Sequence, residues 1–441
     1  MRKNSIYISI LIFLFVCGLQ PVSAQFFHKA KPSGENEHFY VDYALFKSED
    51  STKTARLEVY YQIINAALGF EELDHAYEAE YDLSIDLYKN KKKYDSFKHN
   101  QIVRVKEESQ SVSKTDYRTN QVNFMVDEGK YEIIVRLYDP IHFTEKTESF
   151  KINVKKYDNK KAKISDIELI QAIAPVSATQ SVFDKGELQL IPSVRHRFGL
   201  TDSSSLYFYM ELYEGRDQEK ELKVETVLRH RAKGMLYRDS LTTVFETPVV
   251  RQFRQLSIED LRPGEYELIL TLRGKRNKKI DTKYKDFEIA WTPKTLIKFD
   301  YDVLVKQIEM IATKDEVDSL KAKETYAERV KAYNDFWESK DPTPGTFDNE
   351  VKNEFYRRVS VANRNFSSLF GNGWKTDRGR IYIMYGEPDQ VDDYPVVPDR
   401  NPYQEWYYYQ NSKYLKFVFI DLNYDGDYRL VYPYDGLFLK Q

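Results

Sequence analysis

The positions of apolar and polar residues divide the chain into two parts with different periods. From about residue 36 to residue 295 the dominant period is two, because aromatic or branched residues alternate with polar ones. Clear examples are HFYVDYALF (38–46), ARLEVYYQII (55–64), EAEYDLSIDLY (78–88) and KYEIIVRLYD (130–139). Such alternation is typical of strands with one buried face and one solvated face. Several strands of this kind, separated by turns, favour β-sandwiches.

An internal repeat indicates that this part contains two similar domains. The segment DEGKYEIIVRL (127–137) returns as RPGEYELILTL (262–272), so that Gly129 and Tyr131 correspond to Gly264 and Tyr266. A glycine two places before a tyrosine at the start of a strand resembles the tyrosine corner of immunoglobulin-like domains, in which the phenol bonds to upstream backbone. The alternative is that these tyrosines contact a ligand. We expect two tandem immunoglobulin-like β-sandwiches, over residues 25–160 and 161–297.

Beyond residue 297 the period becomes that of helices, over about residues 303–370. Leu304, Ile308 and Ile311 have helical spacing, and Thr313 with Glu316 forms the capping box of a second helix. An apolar stripe continues to Trp337 and is stopped by DPTPG (341–345), after which a third helix is predicted up to Gly371.

A small antiparallel sheet is predicted after the helices, over about residues 379–433. Its strands are RIYIMY (380–385), YQEWYYYQ (403–410), KFVFID (416–421) and YRLVY (428–432), and Asp425-Gly426 is a two-residue hairpin signal between the last two. We therefore expect a mainly β chain that ends in an α+β domain over residues 298–441.

The N-terminus indicates export. Arg2 and Lys3 precede an apolar run from Ile6 to Leu19, and small residues for cleavage follow at 22–24, which is the layout of a secretory signal. The run is shorter than the roughly 20 residues that span a bilayer, although a retained anchor is the alternative. We expect a signal peptide at 1–24 and a mature chain without a transmembrane segment.

Composition excludes several classes of chemistry. Cys17 is the only cysteine, so a mature chain has no disulfide, cysteine nucleophile or thiolate metal site. The net charge of −3 becomes −5 when Arg2 and Lys3 are removed, which argues against nucleic acid as a partner. All seven histidines precede residue 231, so the C-terminal domain has no histidine for a zinc site or a Ser–His pair. We expect no metal and no cofactor.

Carboxylates leave two chemical alternatives near the C-terminus. Glu387, Asp389 and neighbouring acids are close in sequence, and a glycosidase needs only two carboxylates. The segment DLNYDGDYRLVY (421–432) begins like a calcium loop, but Tyr432 occupies the twelfth position, where a bidentate glutamate is required. A hairpin turn explains that segment better.

The segment GNGWKTDRGRIYIMYGEPD (371–389) contains the motif G-W-x-T-D. Glycines permit the chain to leave a helix, a tryptophan fills a core, and short oxygen-bearing side chains shape a turn. This favours a structural joint, whereas a catalytic interpretation would use Asp377 as base and Arg380 as electrostatic clamp. The candidate motif residues, structural or binding, are Gly373, Trp374, Thr376, Asp377, Arg378, Arg380, Gly386, Pro388 and Asp389.

The motif resembles the GWxTD-domain family of exported bacterial proteins. FWESKDPTPGT (336–346) and YRRVSVANRNF (356–366) also resemble the helical approach to the motif in that family, so the resemblance covers about residues 300–441. The resemblance implies a fold and an exported location, and no reaction. Together with the signal peptide, it leads us to expect the periplasm or cell envelope of a Gram-negative bacterium, or secretion. More weakly, residues 380–431 resemble small non-catalytic lipoproteins of the outer-membrane barrel assembly machinery, which favours interaction over catalysis.

The segment 386–402 and the strand 403–410 are the candidates for recognition. The first is long and carries four prolines, and such loops are usually functional or disordered. The second has Trp406 and Tyr408 on one face, and Tyr403, Glu405, Tyr407 and Tyr409 on the other, with one face in the core. The binding-surface candidates are Arg400, Tyr403, Trp406 and Tyr408.

The functional hypothesis is a non-enzymatic exported protein that acts in protein–protein interaction or scaffolding with an envelope partner. The first alternative is a glycan-binding module that uses exposed aromatic residues of the C-terminal sheet. The second is a carboxylate-based hydrolase centred on Asp377 and Glu387.

Overall fold

The computed structural model describes residues 38–433, apart from residues 51, 114–115, 158–159, 178, 200–204, 218, 346–348, 368–371, 397, 399 and 411–412. Of these described residues 51% lie in strands and 20% in helices, which confirms the predicted mainly β fold. The predicted signal peptide lies outside the described residues.

Internal contacts divide the described chain into two compact units. The first contains residues 38–195, 210–217 and 247–250, and the second contains residues 196–209, 219–246 and 251–433. The boundaries differ from those of the three domains expected from the sequence, since residues 161–195 belong to the first unit. The three-domain division remains a prediction.

The first unit opens with two antiparallel sheets that share a hydrophobic core. The strands are β1 (Phe39–Lys47), β2 (Ala55–Ile64), β3 (Glu71–Leu73), β4 (Ala76–Lys89), β5 (Lys92–Val105), β6 (Tyr117–Val126), β7 (Gly129–Asp139) and β8 (Thr144–Val154), and a short helix, α1 (Glu108–Ser111), follows β5. The sheet orders are β1-β2-β6 and β5-β4-β7-β8, with β3 on the start of β4. Leu57, Ile85 and Val135 are fully buried in the common core.

The strands that follow repeat part of this topology. They are β9 (Lys163–Ile164), β10 (Glu168–Pro175), β11 (Asp184–Lys185), β12 (Leu188–Pro192), β13 (Arg197–Phe198), β14 (Ser205–Tyr213), β15 (Glu221–His230), β16 (Gly234–Val244), β17 (Val249–Ser257), β18 (Gly264–Arg273) and β19 (Lys279–Ile289). Their sheets have the orders β11-β12-β10-β14-β17, with β9 on β14, and β13-β19-β18-β15-β16. The antiparallel order β5-β4-β7-β8 therefore returns as β16-β15-β18-β19, as the sequence repeat predicts.

Both repeats contain the hydrogen bond expected of a tyrosine corner. The Tyr131 hydroxyl donates to the Asp127 carbonyl at 3.0 Å, and the Tyr266 hydroxyl donates to the Arg262 carbonyl at 2.6 Å. Each carbonyl lies four residues upstream of its tyrosine. Gly129 and Gly264, where β7 and β18 begin, have φ angles of 145° and 143°, which an L side chain rarely adopts. The glycine–tyrosine pair thus fixes the start of the strand in both repeats.

Helices occupy the predicted region, about 303–370, and one further helix lies on each side of it. They are α2 (Pro293–Phe299), α3 (Tyr301–Ile308), α4 (Lys314–Lys321), α5 (Tyr326–Ser339), α6 (Glu350–Phe366) and α7 (Asp377–Tyr385). The capping box of Thr313 and Glu316 opens α4, as predicted. The predicted helix end at Gly371 lies outside the described residues, and α6 ends at Phe366. None of the helices in the described part of the chain is long and apolar enough to cross a membrane.

The prediction of a strand at 380–385 is wrong, because these residues form the end of α7. Ile383 packs in the helical core with Trp374, whereas Ile381 and Tyr382 pack in the core of the C-terminal sheet. A helix buried on two sides has a continuous apolar sequence, which periodicity cannot distinguish from a strand.

The C-terminal sheet has the order β20-β21-β22-β23, with antiparallel pairing throughout. Its strands are β20 (Gln390–Tyr394), β21 (Tyr403–Gln410), β22 (Lys413–Asp421) and β23 (Tyr428–Tyr432). The hairpin between β22 and β23 is confirmed, but its loop is longer than two residues because Asp421 pairs with Tyr428. Strand β20 was not predicted, since its exposed sequence QVDDY lacks apolar alternation.

Candidate functional site

Two glycines of the motif bring three backbone segments into close contact. A Cβ atom on Gly373 would lie 1.9 Å from the carbonyl oxygen of Ala362 in α6. A Cβ atom on Gly379 would lie 1.9 Å from the carbonyl oxygen of Gly373. Both distances are far below any normal contact, so a side chain at either position forces the backbone apart. The motif therefore packs α7 directly on the turn that follows α6.

Hydrogen bonds from short side chains fix this turn. The Thr376 hydroxyl donates to the Gly373 carbonyl at 2.8 Å and accepts the Gly379 N–H at 3.1 Å, as the N-cap of α7. From the end of α6, the Asn363 side chain accepts the Trp374 N–H, and the Ser367 hydroxyl accepts the Gly373 N–H. These polar groups of the turn therefore form hydrogen bonds within the domain.

Trp374 lies in the helical core. Its side chain is 5% exposed and packs in the cluster that contains Leu304, Trp337 and Val359. Within residues 373–377 only Lys375 is exposed, and its ammonium lies 5.4 Å from the centre of the indole ring. Trp374 therefore joins the motif to the helices, as the structural interpretation expects.

Asp377 and Arg378 join the same turn to the sheet. The half-buried Asp377 carboxylate accepts the N–H of Leu430 in β23 at 2.9 Å. The Arg378 guanidinium donates to the Gly426 carbonyl and to Gln404, and lies between the rings of Phe366 and Tyr428. Burial lowers the pKa of Arg378. These contacts make both residues structural links between α7 and the C-terminal sheet.

Arg380 is half-buried and forms no ion pair with another residue in the described part of the chain. Its backbone N–H donates to the Thr376 carbonyl within α7. Among the described residues, no ion pair therefore joins Arg380 to Asp377, the candidate base, or to Glu387.

The second half of the motif ends α7 and leads into the sheet. Gly386 has a φ of 88° at the C-cap of α7, and its carbonyl accepts the Tyr408 hydroxyl at 3.0 Å. Pro388 is half-buried, and the Asp389 carboxylate accepts the Tyr409 N–H at 2.6 Å. From α6, Arg358 donates to the carbonyls of Ile383 and Met384 at the end of α7.

The binding-surface candidates separate between the two faces of the sheet. Trp406 and Tyr408 are 3% and 1% exposed in the core beneath α7, so their assignment to a surface is wrong. Tyr403 is an odd number of residues from both Trp406 and Tyr408 and is therefore on the opposite side of the strand from them, on the outer face. Arg400 is exposed in the segment before β21. The sequence alone did not indicate which face the helix covers.

The outer face of the C-terminal sheet carries most of its tyrosines. Directly paired residues of an antiparallel sheet lie on one face, so the registers assign six tyrosines to this face. This tyrosine face contains Tyr394, Tyr403, Tyr407, Tyr409, Tyr414 and Tyr432. Tyr409, Tyr414 and Tyr432 are each 57% exposed. The alternation in YQEWYYYQ was the signal for Tyr407 and Tyr409, whereas Tyr394, Tyr414 and Tyr432 could be found only from the pairing.

Contacts across the strands order the tyrosine face. The rings of Tyr394 and Tyr403 stack with their centroids 4.4 Å apart. The Tyr407 hydroxyl donates to Glu405 at 2.5 Å, and Lys416 forms an ion pair with the same carboxylate at 2.9 Å. The hydrogen bond to Glu405 raises the pKa of Tyr407 to about 12, and the hydrogen bond from Tyr407 lowers the pKa of Glu405. These contacts order the aromatic side chains of the tyrosine face.

Acidic residues at 421–427 accept hydrogen bonds from the backbone of their own loop. The buried Asp421 carboxylate accepts the N–H groups of Asp425 and Gly426. Among the described residues no group of three or more His, Cys, Asp or Glu has the arrangement to hold a metal ion. The loop is therefore explained as a turn stabilised by Asp421.

Comparisons with known proteins give one family match. Residues 284–433 match the model of the GWxTD domain, starting before the boundary predicted at residue 298. A search of the curated proteins finds no match.

The similar solved structures are distant. A dimeric latent PorU from Porphyromonas gingivalis is 11% identical over 57% of this chain and 20% of its own, with a TM-score of 0.24. Red sea bream transglutaminase is 10% identical over 57% of this chain and 32% of its own, with a TM-score of 0.17. β-Glucuronidase 2 of Bacteroides uniformis is 9% identical over 56% of this chain and 28% of its own, with a TM-score of 0.21. TM-scores this low support no statement about fold or function.

The motif glycines, Trp374 and Thr376 build the joint between the helices and the sheet inside the matched range. Over residues 284–433, this chain carries a GWxTD domain.

Proposed function

We propose that this chain is a non-enzymatic, exported cell-envelope protein whose GWxTD domain recognises another protein. The observation that carries the proposal is the tyrosine face, six tyrosines on one side of the C-terminal sheet with three of them more than half exposed. Tyrosine is enriched in protein interfaces and in binding hot spots, and contiguous exposed aromatic surface marks interaction sites.

The contacts of the G-W-x-T-D motif support a structural role for the motif, next to the tyrosine face. Asp377, the candidate base, accepts a backbone N–H from β23, and the hydroxyl of Thr376 caps α7. The chain is proposed to reach the envelope through the signal peptide at 1–24. The repeated strand order and the two tyrosine hydrogen bonds support the finer proposal that residues 25–297 form two immunoglobulin-like sandwiches.

In-cell crosslinking followed by purification of the tagged chain tests the function. We expect a stoichiometric envelope protein with the wild type, and its loss with Tyr409→Ser/Tyr414→Ser. The matched control Tyr77→Ser/Tyr88→Ser removes two half-exposed tyrosines of β4 and should retain the partner. Recovery of monomer alone from wild-type cells contradicts the proposal.

A glycan is the second candidate ligand, because the exposed rings of the same face offer stacking surfaces and hydroxyl groups. Titration with wall or capsule oligosaccharides, followed by tyrosine fluorescence, tests it. A saturable change that Tyr409→Ser/Tyr414→Ser removes supports the glycan, and a flat response removes this candidate.

A further inference from the structure

Strand β20 is a terminal strand of the C-terminal sheet. It pairs with β21 through Gln390–Tyr394, and no strand of the described chain pairs with its other side. In an antiparallel strand alternate residues direct their N–H and C=O groups to opposite sides. A free edge of this kind is a template for one more strand.

Apolar side chains along this edge are uncovered on both faces of the sheet. Val391 pairs with Trp406, which places it on the core face, yet it is 46% exposed. On the outer face, at the edge of the tyrosine face, Tyr394 is 37% exposed. An added strand would cover both side chains and remove their apolar surface from water, which favours association.

The charge of the edge is strongly negative. Residues 386–402 contain five acids and one base, Arg400. Asp392 projects to the outer face and Asp393 to the core face, and neither forms an ion pair with a described residue. Asp392 accepts a hydrogen bond from Gln390, and Asp393 contributes to the field at Arg378. Carboxylates on both sides repel a second acidic edge and attract a basic strand.

We propose that β20 is a docking edge for an extended, basic segment of the protein partner, which adds to the C-terminal sheet as a further strand. This inference rests on the function proposed above and names the chemistry of the partner. Backbone hydrogen bonds to β20 give affinity without sequence preference, whereas alternate side chains give selectivity. In a segment of alternating basic and apolar residues, the basic side chains lie on the outer face beside Asp392, and the apolar side chains lie on the core face beside Val391.

A defined peptide tests the edge with the purified mature chain. The probe is a fluorescein-labelled octapeptide of four Lys-Val repeats, and its binding is followed by fluorescence anisotropy. We expect saturable binding that weakens about fivefold in Asp392→Asn/Asp393→Asn, since this variant loses the ion pair at Asp392 and the negative charge of Asp393 next to the added strand. A rise in NaCl from 50 to 500 mM should also weaken the binding of the peptide to the wild-type chain. A Glu-Val repeat and a Lys-Val peptide with prolines at two valines should not bind.

The matched control carries the same change of charge elsewhere in the domain. Asp302→Asn/Asp318→Asn alters two exposed acids of α3 and α4 and should leave the affinity unchanged. Absence of saturable binding at 1 mM peptide, an equal loss in both double variants, or equal binding of the proline peptide overturns the proposal.

A photo-crosslinking residue in native cells separates failure of the edge from failure of the proposed function. At position 392 we expect an adduct whose crosslinked partner segment contains lysine or arginine at alternate positions. Adducts at position 409 without any at 392 overturn the docking edge and retain protein recognition. No protein adduct at either position overturns both.

Discussion

At the scale of single residues, the two motif glycines determine how closely α7 approaches α6. We predict that Gly379→Ala destabilises the GWxTD domain by about 3 kcal/mol or more, because its Cβ meets the Gly373 carbonyl oxygen at 1.9 Å. Urea unfolding followed by tryptophan fluorescence measures this, since Trp337, Trp374 and Trp406 are all buried in that domain.

Gly345→Ala is the matched control. Nothing lies within 4 Å of a Cβ at Gly345, although its φ of 98° makes alanine strained, so we expect a loss of about 1 to 2 kcal/mol. Equal midpoints for the two variants would show that the close packing does not stabilise the domain.

These residue roles were only partly predictable from the sequence. The residue types of G-W-x-T-D indicate a turn with a buried ring, and this agrees with the buried Trp374 and the capping Thr376. The sequence did not show that the glycines face carbonyl oxygens rather than adopt positive φ. The close approach of each glycine depends on a residue elsewhere in the chain, such as Ala362 for Gly373. The residue types of the turn do not indicate which residue that is.

At the scale of elements, Glu354 and two arginines of α6 hold the end of α7. Glu354 accepts hydrogen bonds from Arg357 and Arg358, and Arg358 donates to the last carbonyls of α7. The hydrogen bond from Arg357, with that from Arg358, lowers the pKa of Glu354 to about 2 from an ordinary value of 4.5.

We predict that Glu354→Gln lowers the free energy of unfolding at pH 7 by less than about 1 kcal/mol, because the pair is partly exposed. A lowered pKa stabilises the fold above the unfolded value, so the difference from wild type should shrink as the pH falls from 5 towards 2. Urea unfolding at pH 7, 5 and 3 measures it. Glu338→Gln, at an exposed site, should show no such trend, and a difference that grows on acidification contradicts the assignment.

The type of an element could be predicted where one of its faces is exposed to solvent. The prediction failed where burial on two sides or a charged sequence removes the apolar periodicity. Strand β7 alternates between buried and partly exposed residues, and β21 to β23 were predicted close to their observed bounds. The expectation of one solvated face is wrong for β2, which is buried at every position except Arg56. Helix α7 is buried on two sides and therefore has a strand-like apolar run. Strand β20 is held by its pairing with β21, and its own residues have no apolar periodicity.

At the scale of the whole molecule, buried charges in the first compact unit connect residues 38–154 to residues 163–195 and 210–213. Lys185 forms an ion pair with Glu58 at 2.5 Å, and Arg56 pairs with Glu58 and Glu211. Burial opposes ionisation of Glu58, yet Lys185 and Arg56 keep its pKa lowered. Backbone N–H groups of Leu45 and Asp166 add reciprocal bonds between the same regions.

We predict that Glu58→Gln and Lys185→Met each cost about 3 kcal/mol, because each removes one partner of a buried charge. The partners that remain, Arg56 for Glu58 and Glu168 for Lys185, balance that charge only in part. The double variant should cost less than the sum by at least about 1 kcal/mol. Hydrogen exchange of β2 and β10 measures the loss in this unit. The exposed pair Glu78 and Arg104 is the control, with an expected cost below about 1 kcal/mol. Additive costs for Glu58 and Lys185 would contradict a coupled joint.

The most direct test of recognition by the tyrosine face places a photo-crosslinking residue at Tyr409 or at Lys331, an exposed control on α5. Native cells are irradiated, and the adducts are separated and identified by mass spectrometry. The account predicts a discrete adduct with one envelope protein from position 409 and none from position 331. Identical adducts from both positions, or none from position 409, would contradict it.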